Sequence, residues 1–214
     1  MSSNQPDQLF WYTRWSVRDV VALLATAIIL GILFYLWSWA IHLLMRLMGE
    51  IAVSLFYGVW YWAGLLLAYV IRKPGAALLG EFGAGLVAFA LATLLATPLA
   101  TPATMLTPST MLVLGFVVGL ALEVVFAWAR FQHWGLVVML IAGALAGVAD
   151  FALNLVAPPL QLELRSGGSI IATFWLIVLS GVILGGWVCT ILGDRLRAVP
   201  AARHFLATQE PQEG

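Results

Sequence analysis

The sequence predicts an all-α integral membrane protein, a six-transmembrane-helix bundle with both termini cytoplasmic. Three observations predict it. Hydrophobic residues make up 63% of the 214 and charged residues 9%, against about half and about a quarter in soluble domains, and mean hydropathy is +1.01. The apolar segments each approach or exceed the ~20 residues needed to cross the hydrocarbon. The cations sort to one side. With the N-terminus inside, Arg14, Arg18, Arg72, Lys73, Arg130, Arg195, Arg197 and Arg203 fall on the cytoplasmic side, leaving Arg46 and Arg165 outside.

A cytoplasmic segment, 1–16, precedes the first span. It lacks a cationic stretch leading into a short apolar core and a cleavage site, so no signal peptide is expected. The spans are 17–48, 51–71, 75–96, 110–130, 135–157 and 169–195, within a membrane domain of 17–196. Backbone groups in lipid must be satisfied within the segment, which selects helices, and no strand-like alternation of a barrel appears. The first span, about 32 residues and roughly 48 Å long, exceeds the bilayer core and must tilt, bend or protrude. Between spans two and three, Arg72-Lys73-Pro74-Gly75 forms a tight cytoplasmic hairpin, with Pro74 suited to a first helical turn. The outer connection "TPLATPATMLTPST" holds three Thr-Pro pairs, which favour extended backbone. The other, "APPLQLELRSGG", has the length of a binding loop. A polar cytoplasmic tail, 197–214, closes the chain.

Polar groups inside the spans are candidates for function. Glu81 and Glu123 each lie seven residues from the cytoplasmic edge of their spans. They are placed to share a proton, to pair with a cationic ligand, or simply to hydrogen-bond within the bundle. Asp150 and Asn154, four apart, occupy one face of span five in its outer half. They are suited to reading a small heterocycle with donor and acceptor edges, or to bonding one another. His42 and Arg46 share a face at the outer end of span one and read as interfacial snorkelling. Of ten tryptophans, Trp11, Trp15, Trp134 and Trp187 fit an inner aromatic belt. Trp60 and Trp175 lie deeper and, with Tyr57, are placed either to stack on a ligand or to pack helices. Small residues recur every four positions, at Ala27 and Gly31 and at Ala84, Ala88 and Ala92, allowing close approach of another helix, in this bundle or in a partner. Zero formal net charge gives no footprint for nucleic acid. The single cysteine, Cys189, excludes an internal disulfide, and no nucleotide-binding loop, hydrolase motif or helical metal-binding His pair is present.

Two patches carry a family resemblance: "YGVWYWAGLLLAYVIRKPGAALLGE", from Tyr57 to Glu81, and "GLALEVVF", from Gly119 to Phe126. They resemble the YkoE-like S components, the substrate-binding membrane subunits of energy-coupling factor (ECF) importers. The resemblance implies six helices in a prokaryotic cell membrane and a vitamin, thiamin or its hydroxymethylpyrimidine precursor, bound from outside. It implies a membrane coupling protein and two cytosolic ATPases as partners, and no cofactor, resident metal or catalysis of its own. Tyr57, Trp60, Glu123, Asp150, Asn154 and Trp175 are then the expected ligand-binding residues. Glu81 becomes a structural or ligand-related acid, and Ala27, Gly31, Ala84 and Ala88 the residues that dock the coupling protein. The pattern departs from the family at Ala88, Val118 and Asn154, where acids or a glutamine are usual. Two alternatives stand beside this one: a membrane-embedded enzyme using Glu81 and Glu123 as an acid–base pair, and a structural membrane subunit without a small ligand.

Overall fold

The computed structural model describes residues 15–95, 108–156 and 167–198. Both termini, most of the Thr-Pro connection and most of the connection after span five lie outside them. Among the described residues there are helices and no strands, and six of the helical stretches are long and apolar enough to cross a membrane.

Helix α1 is Val17–Met48. Ser16 caps it in a reciprocal box: its hydroxyl accepts from the Asp19 N–H while the Asp19 carboxylate accepts from the Ser16 N–H. The same carboxylate pairs with Lys73 across the bundle, tying the start of α1 to the 72–75 turn. The second span is one helix in the sequence reading but three pieces in the structure: α2 (Glu50–Val53), a 3₁₀ segment (Ser54–Tyr61) and α3 (Trp62–Ile71). It is the most enclosed span, 72% buried against 28% for α1. Then follow α4 (Ala76–Leu94), α5 (Pro108–Trp128) and α6 (Leu136–Val156). The last span divides into α7 (Gly167–Ser180), a π segment (Gly181–Trp187) and α8 (Val188–Ala198).

A tertiary contact accounts for the broken helices. The Ser180 hydroxyl accepts from the Gly58 N–H at 2.8 Å and donates to the Leu55 carbonyl at 2.6 Å. It is inserted between two backbone groups three residues apart, which departs from the α ladder. Gly58 leaves room for this, since a Cβ there would strike the Ser180 backbone. On the facing strand of chain, Trp62 Nε1 donates to the Leu184 carbonyl at 2.9 Å and Thr190 Oγ1 to the Gly186 carbonyl at 2.8 Å. Carbonyls in and beside the π segment are thus satisfied without water, as lipid surroundings demand.

The small-residue rows pack the bundle itself. A Cβ on Gly31 would overlap Val87 and the Ala84 carbonyl, and Gly83 lies against Ala27. Ala84 and Ala88 are 0% exposed. Ala27, Gly31, Ala84 and Ala88, expected to dock a partner, here pack α1 against α4.

The basic residues gather at one end. Arg72, with φ 56°, closes α3, and its guanidinium lies over the rings of Tyr69 and Trp134 at 5.4 and 5.8 Å. Tyr69 donates to Asp194 Oδ1 at 2.6 Å, and the Arg197 guanidinium lies over the Tyr69 ring at 5.9 Å. Trp134, expected in an interfacial belt, is instead buried and stacked on Phe126.

Candidate functional site

Both acids near the basic end cap helices. Ala76 opens α4 beside Gly75, whose φ of 86° favours glycine. The Gly75 N–H donates to Glu123 Oε1 and the Leu78 N–H to Glu123 Oε2 at 3.3 Å. A carboxylate from α5 therefore satisfies backbone donors that the start of α4 leaves open, where the helix dipole also favours negative charge. Glu81 does the same deeper down. Span two switches from 3₁₀ to α at Trp62, so Gly64 is the third residue of a new helix, and its N–H donates to Glu81 Oε2 at 2.6 Å. Glu81 is 2% exposed. Glu123, expected to bind ligand, is thus engaged at the start of α4, and the two acids serve two different helix starts rather than one shared site. Glu81→Leu would leave the Gly64 N–H unsatisfied, at a cost of about 1–3 kcal/mol. The expected outcome is a melting temperature lower by several degrees, a smaller fall for Glu81→Gln, which keeps an acceptor, and unchanged ligand affinity in both.

A separate hollow opens at the opposite end, between α1, the 3₁₀ segment, α5 and α6. Ile41, His42 and Met45 come from α1, Tyr57 and Trp60 from the 3₁₀ segment, Thr110 and Leu114 from α5, and Asp150, Leu153 and Asn154 from α6. It brings together four of the expected ligand-binding residues: Tyr57, Trp60, Asp150 and Asn154. Their helical periods explain it. Asp150 and Asn154 are one turn apart on α6, and Tyr57 and Trp60 are one 3₁₀ turn apart.

Asp150 is the polar centre. It is 1% exposed. The Tyr61 hydroxyl donates to its Oδ2 at 2.7 Å, and Asn154 Nδ2 donates to its Oδ1 at 2.9 Å and to its backbone carbonyl at 2.7 Å. The amide nitrogen of Asn154 is thus engaged within α6, leaving its carbonyl oxygen as the group it can offer a ligand. A carboxylate and an amide oxygen are thus the acceptors that α6 brings to an otherwise largely apolar hollow. Trp60 packs against Phe34 with ring centroids 5.3 Å apart, which holds an aromatic wall in place. The hollow is narrow, with about 20 Å³ of room for the centre of a water molecule, so a heterocycle enters only if the walls part. Ile41, Met45 and Leu153 are the compliant part of that wall.

Trp175 is not part of this site. It is 62% exposed on the bundle's outer surface, held edge-on by Phe174, which meets Phe151 in turn. The sequence reading also passed over Tyr61, the buried partner of Asp150, and His42, which faces the hollow instead of snorkelling. The period Phe34, Ser38, Ile41, Met45 along α1 would have placed His42 beside its inward face.

The family model for "ABC-type cobalt transport system, permease component" matches residues 18–149. A putative HMP/thiamine permease protein, YkoE, of Bacillus subtilis (strain 168) is 30% identical over 182 residues, spanning 85% of this chain and 84% of that one. A crystal structure of an S-component of an ECF transporter superposes with a TM-score of 0.74 at 27% identity, covering 92% of this chain and 95% of the other. These relatives are transport subunits rather than enzymes. The chain is a multi-pass membrane protein that belongs to the family of ABC-type cobalt transport system permease components, among the YkoE-like S components of ECF transporters.

Proposed function

We propose that the chain captures thiamin or its hydroxymethylpyrimidine precursor from outside a prokaryotic cell membrane, for import by a membrane coupling protein and two cytosolic ATPases. The observation that carries this reading is the largely apolar, aromatic-walled hollow with a carboxylate and an amide at its edge, formed by Asp150, Asn154, Tyr57 and Trp60. An aminopyrimidine supplies donors to the carboxylate and the amide oxygen, and thiazolium adds a positive charge for the carboxylate and rings. The name of the Bacillus relative points to the same compounds. The clustering of Arg72, Lys73, Arg130, Arg195 and Arg197 at the opposite end supports a cytoplasmic assignment for that end, hence an outward hollow.

Cobalt, named in the family description, fits these residues less well. Among the described residues no group of three His, Cys, Asp or Glu is placed to hold a metal ion. One carboxylate, one amide and one imidazole suit an organic ligand better. Release inward requires the hollow to change shape, with the work supplied by the partner ATPases. Mass spectrometry of small molecules retained after mild detergent extraction, from cells fed both compounds, tests the reading. Thiamin or the hydroxymethylpyrimidine should be retained. Recovery of a metal ion alone, or of a molecule without hydrogen-bond donors, contradicts it.

A further inference from the structure

His42 faces the hollow with an incomplete set of hydrogen bonds. Its Nδ1 lies 2.5 Å from the carbonyl oxygen of Ser38, one turn back on α1. A carbonyl oxygen accepts only, so Nδ1 carries a proton and donates it. Ser38 is itself held, its hydroxyl donating to the Tyr35 carbonyl at 2.6 Å. The ring is therefore fixed from the helix side. Its other nitrogen, Nε2, is buried and has no hydrogen-bond partner among the described residues. In the neutral imidazole whose proton sits on Nδ1, that nitrogen presents a lone pair.

We propose that His42 is a specificity-determining ligand contact, its Nε2 accepting a hydrogen bond from an N–H or O–H of the molecule held in the hollow. The inference rests on the reading of the hollow as a ligand site and deepens it by assigning the ligand's chemistry. Asp150 is an acceptor already oriented by Tyr61 and Asn154, and His42 is a second acceptor on another helix, lining the same space. A molecule that satisfies both carries two separate donors, such as a heterocycle with an exocyclic amine at one position and a hydroxyl or second N–H at another. Hydroxymethylpyrimidine has this pattern. A flat apolar ring does not, nor does one bearing a single donor. The buried lone pair also selects against ligands that would bring an acceptor or an anion to it, because two lone pairs then face each other with water excluded.

The test uses the full-length protein in detergent micelles and calorimetric titration with three probes: hydroxymethylpyrimidine, its analogue with methyl in place of hydroxymethyl, and its analogue with methyl in place of the amine. On the wild-type protein, at least one analogue should bind about tenfold or more weakly than the parent. His42→Phe, which keeps a ring and removes the lone pair, should weaken the parent by about tenfold. It should bind the analogue that lacks the matching donor as well as the wild type does. His42→Gln, which restores an oxygen near the position of Nε2, should recover affinity to within about threefold of wild type. Parent affinity unchanged in His42→Phe, or an equal loss for all three probes, overturns the proposal, since either outcome removes the specific bond. If His42→Phe does not yield folded protein, the analogue series on the wild type decides, and equal affinity for all three probes overturns it. Wild-type protein that binds none of the three overturns the ligand reading itself, and this inference with it.

Discussion

Asp150→Ala is expected to weaken ligand binding by roughly one to two orders of magnitude and to weaken the fold at the same time. The carboxylate accepts from Tyr61, which is 0% exposed, and from Asn154. Its removal strands the Tyr61 hydroxyl in the bundle interior, while Asn154 Nδ2 keeps its bond to the backbone carbonyl of residue 150. An unsatisfied buried group costs about 1–3 kcal/mol, so a melting temperature lower by roughly 2–12 °C follows for a protein of this size. Loss of a charged acceptor to the ligand removes about 1.5–3 kcal/mol of binding, or roughly 10–150-fold in affinity. Asp150→Asn separates the two effects. It keeps the shape and one acceptor for Tyr61, so stability falls less, while the charge is lost and an amide now competes with Asn154. Thermal melts and titrations of both variants check this. Wild-type affinity in Asp150→Asn would remove Asp150 from the site.

Gly143→Ala carries the second large effect, on folding alone. The β-carbon of an alanine at 143 would fall on the Gly181 carbonyl and close to the Gly186 nitrogen, and the reverse holds for a β-carbon at 181. These contacts are backbone against backbone, between α6 and the π segment, so no side chain can turn aside. The helices must separate or the π segment must rewind, which would shift Gly181 and Gly185 away from the Tyr61 ring they flank. The expected cost exceeds about 4 kcal/mol, beyond ordinary overpacking, with little folded protein recovered after extraction. Gly135→Ala is the control: nothing lies within 4 Å of its added carbon, and its melting temperature should match the wild type. Equal yields and melting curves for the two variants would contradict the tight crossing.

The six spans and the basic end were legible because they depend on composition and on charge position, which are local. The Asp150–Asn154 pair was legible for the same reason: a spacing of four fixes a shared helical face. Its two readings, mutual bond and ligand site, turn out to be compatible, since the bond leaves the Asn154 oxygen free to face the hollow. The 3₁₀ and π segments were not legible. Their cause is the contact of Ser180 with Leu55 and Gly58, residues more than a hundred positions away, and no local pattern reports it. Glu123 was misplaced because its partners, Gly75 and Leu78, begin a different helix from its own; depth in the span can be counted from sequence, but direction cannot. Trp175 failed for a related reason, as an aromatic facing lipid and one facing a pocket have the same neighbours in the chain. The small-residue rows were legible as sites of close helix approach, and the structure uses them between α1 and α4; whether the approaching helix lies in the bundle or in a partner is not written in the spacing.

Titration calorimetry of the purified wild-type chain with hydroxymethylpyrimidine and with thiamin is the most direct test of the central claim, that the acceptor-lined hollow at the Asp150 end holds a donor-bearing heterocycle. The expected result is saturable binding at one site per chain, at least about tenfold weaker in Asp150→Ala and unchanged in Trp175→Ala, whose side chain lies on the outer surface. No heat of binding for either compound up to millimolar concentration, with no retained small molecule displaced, would contradict it.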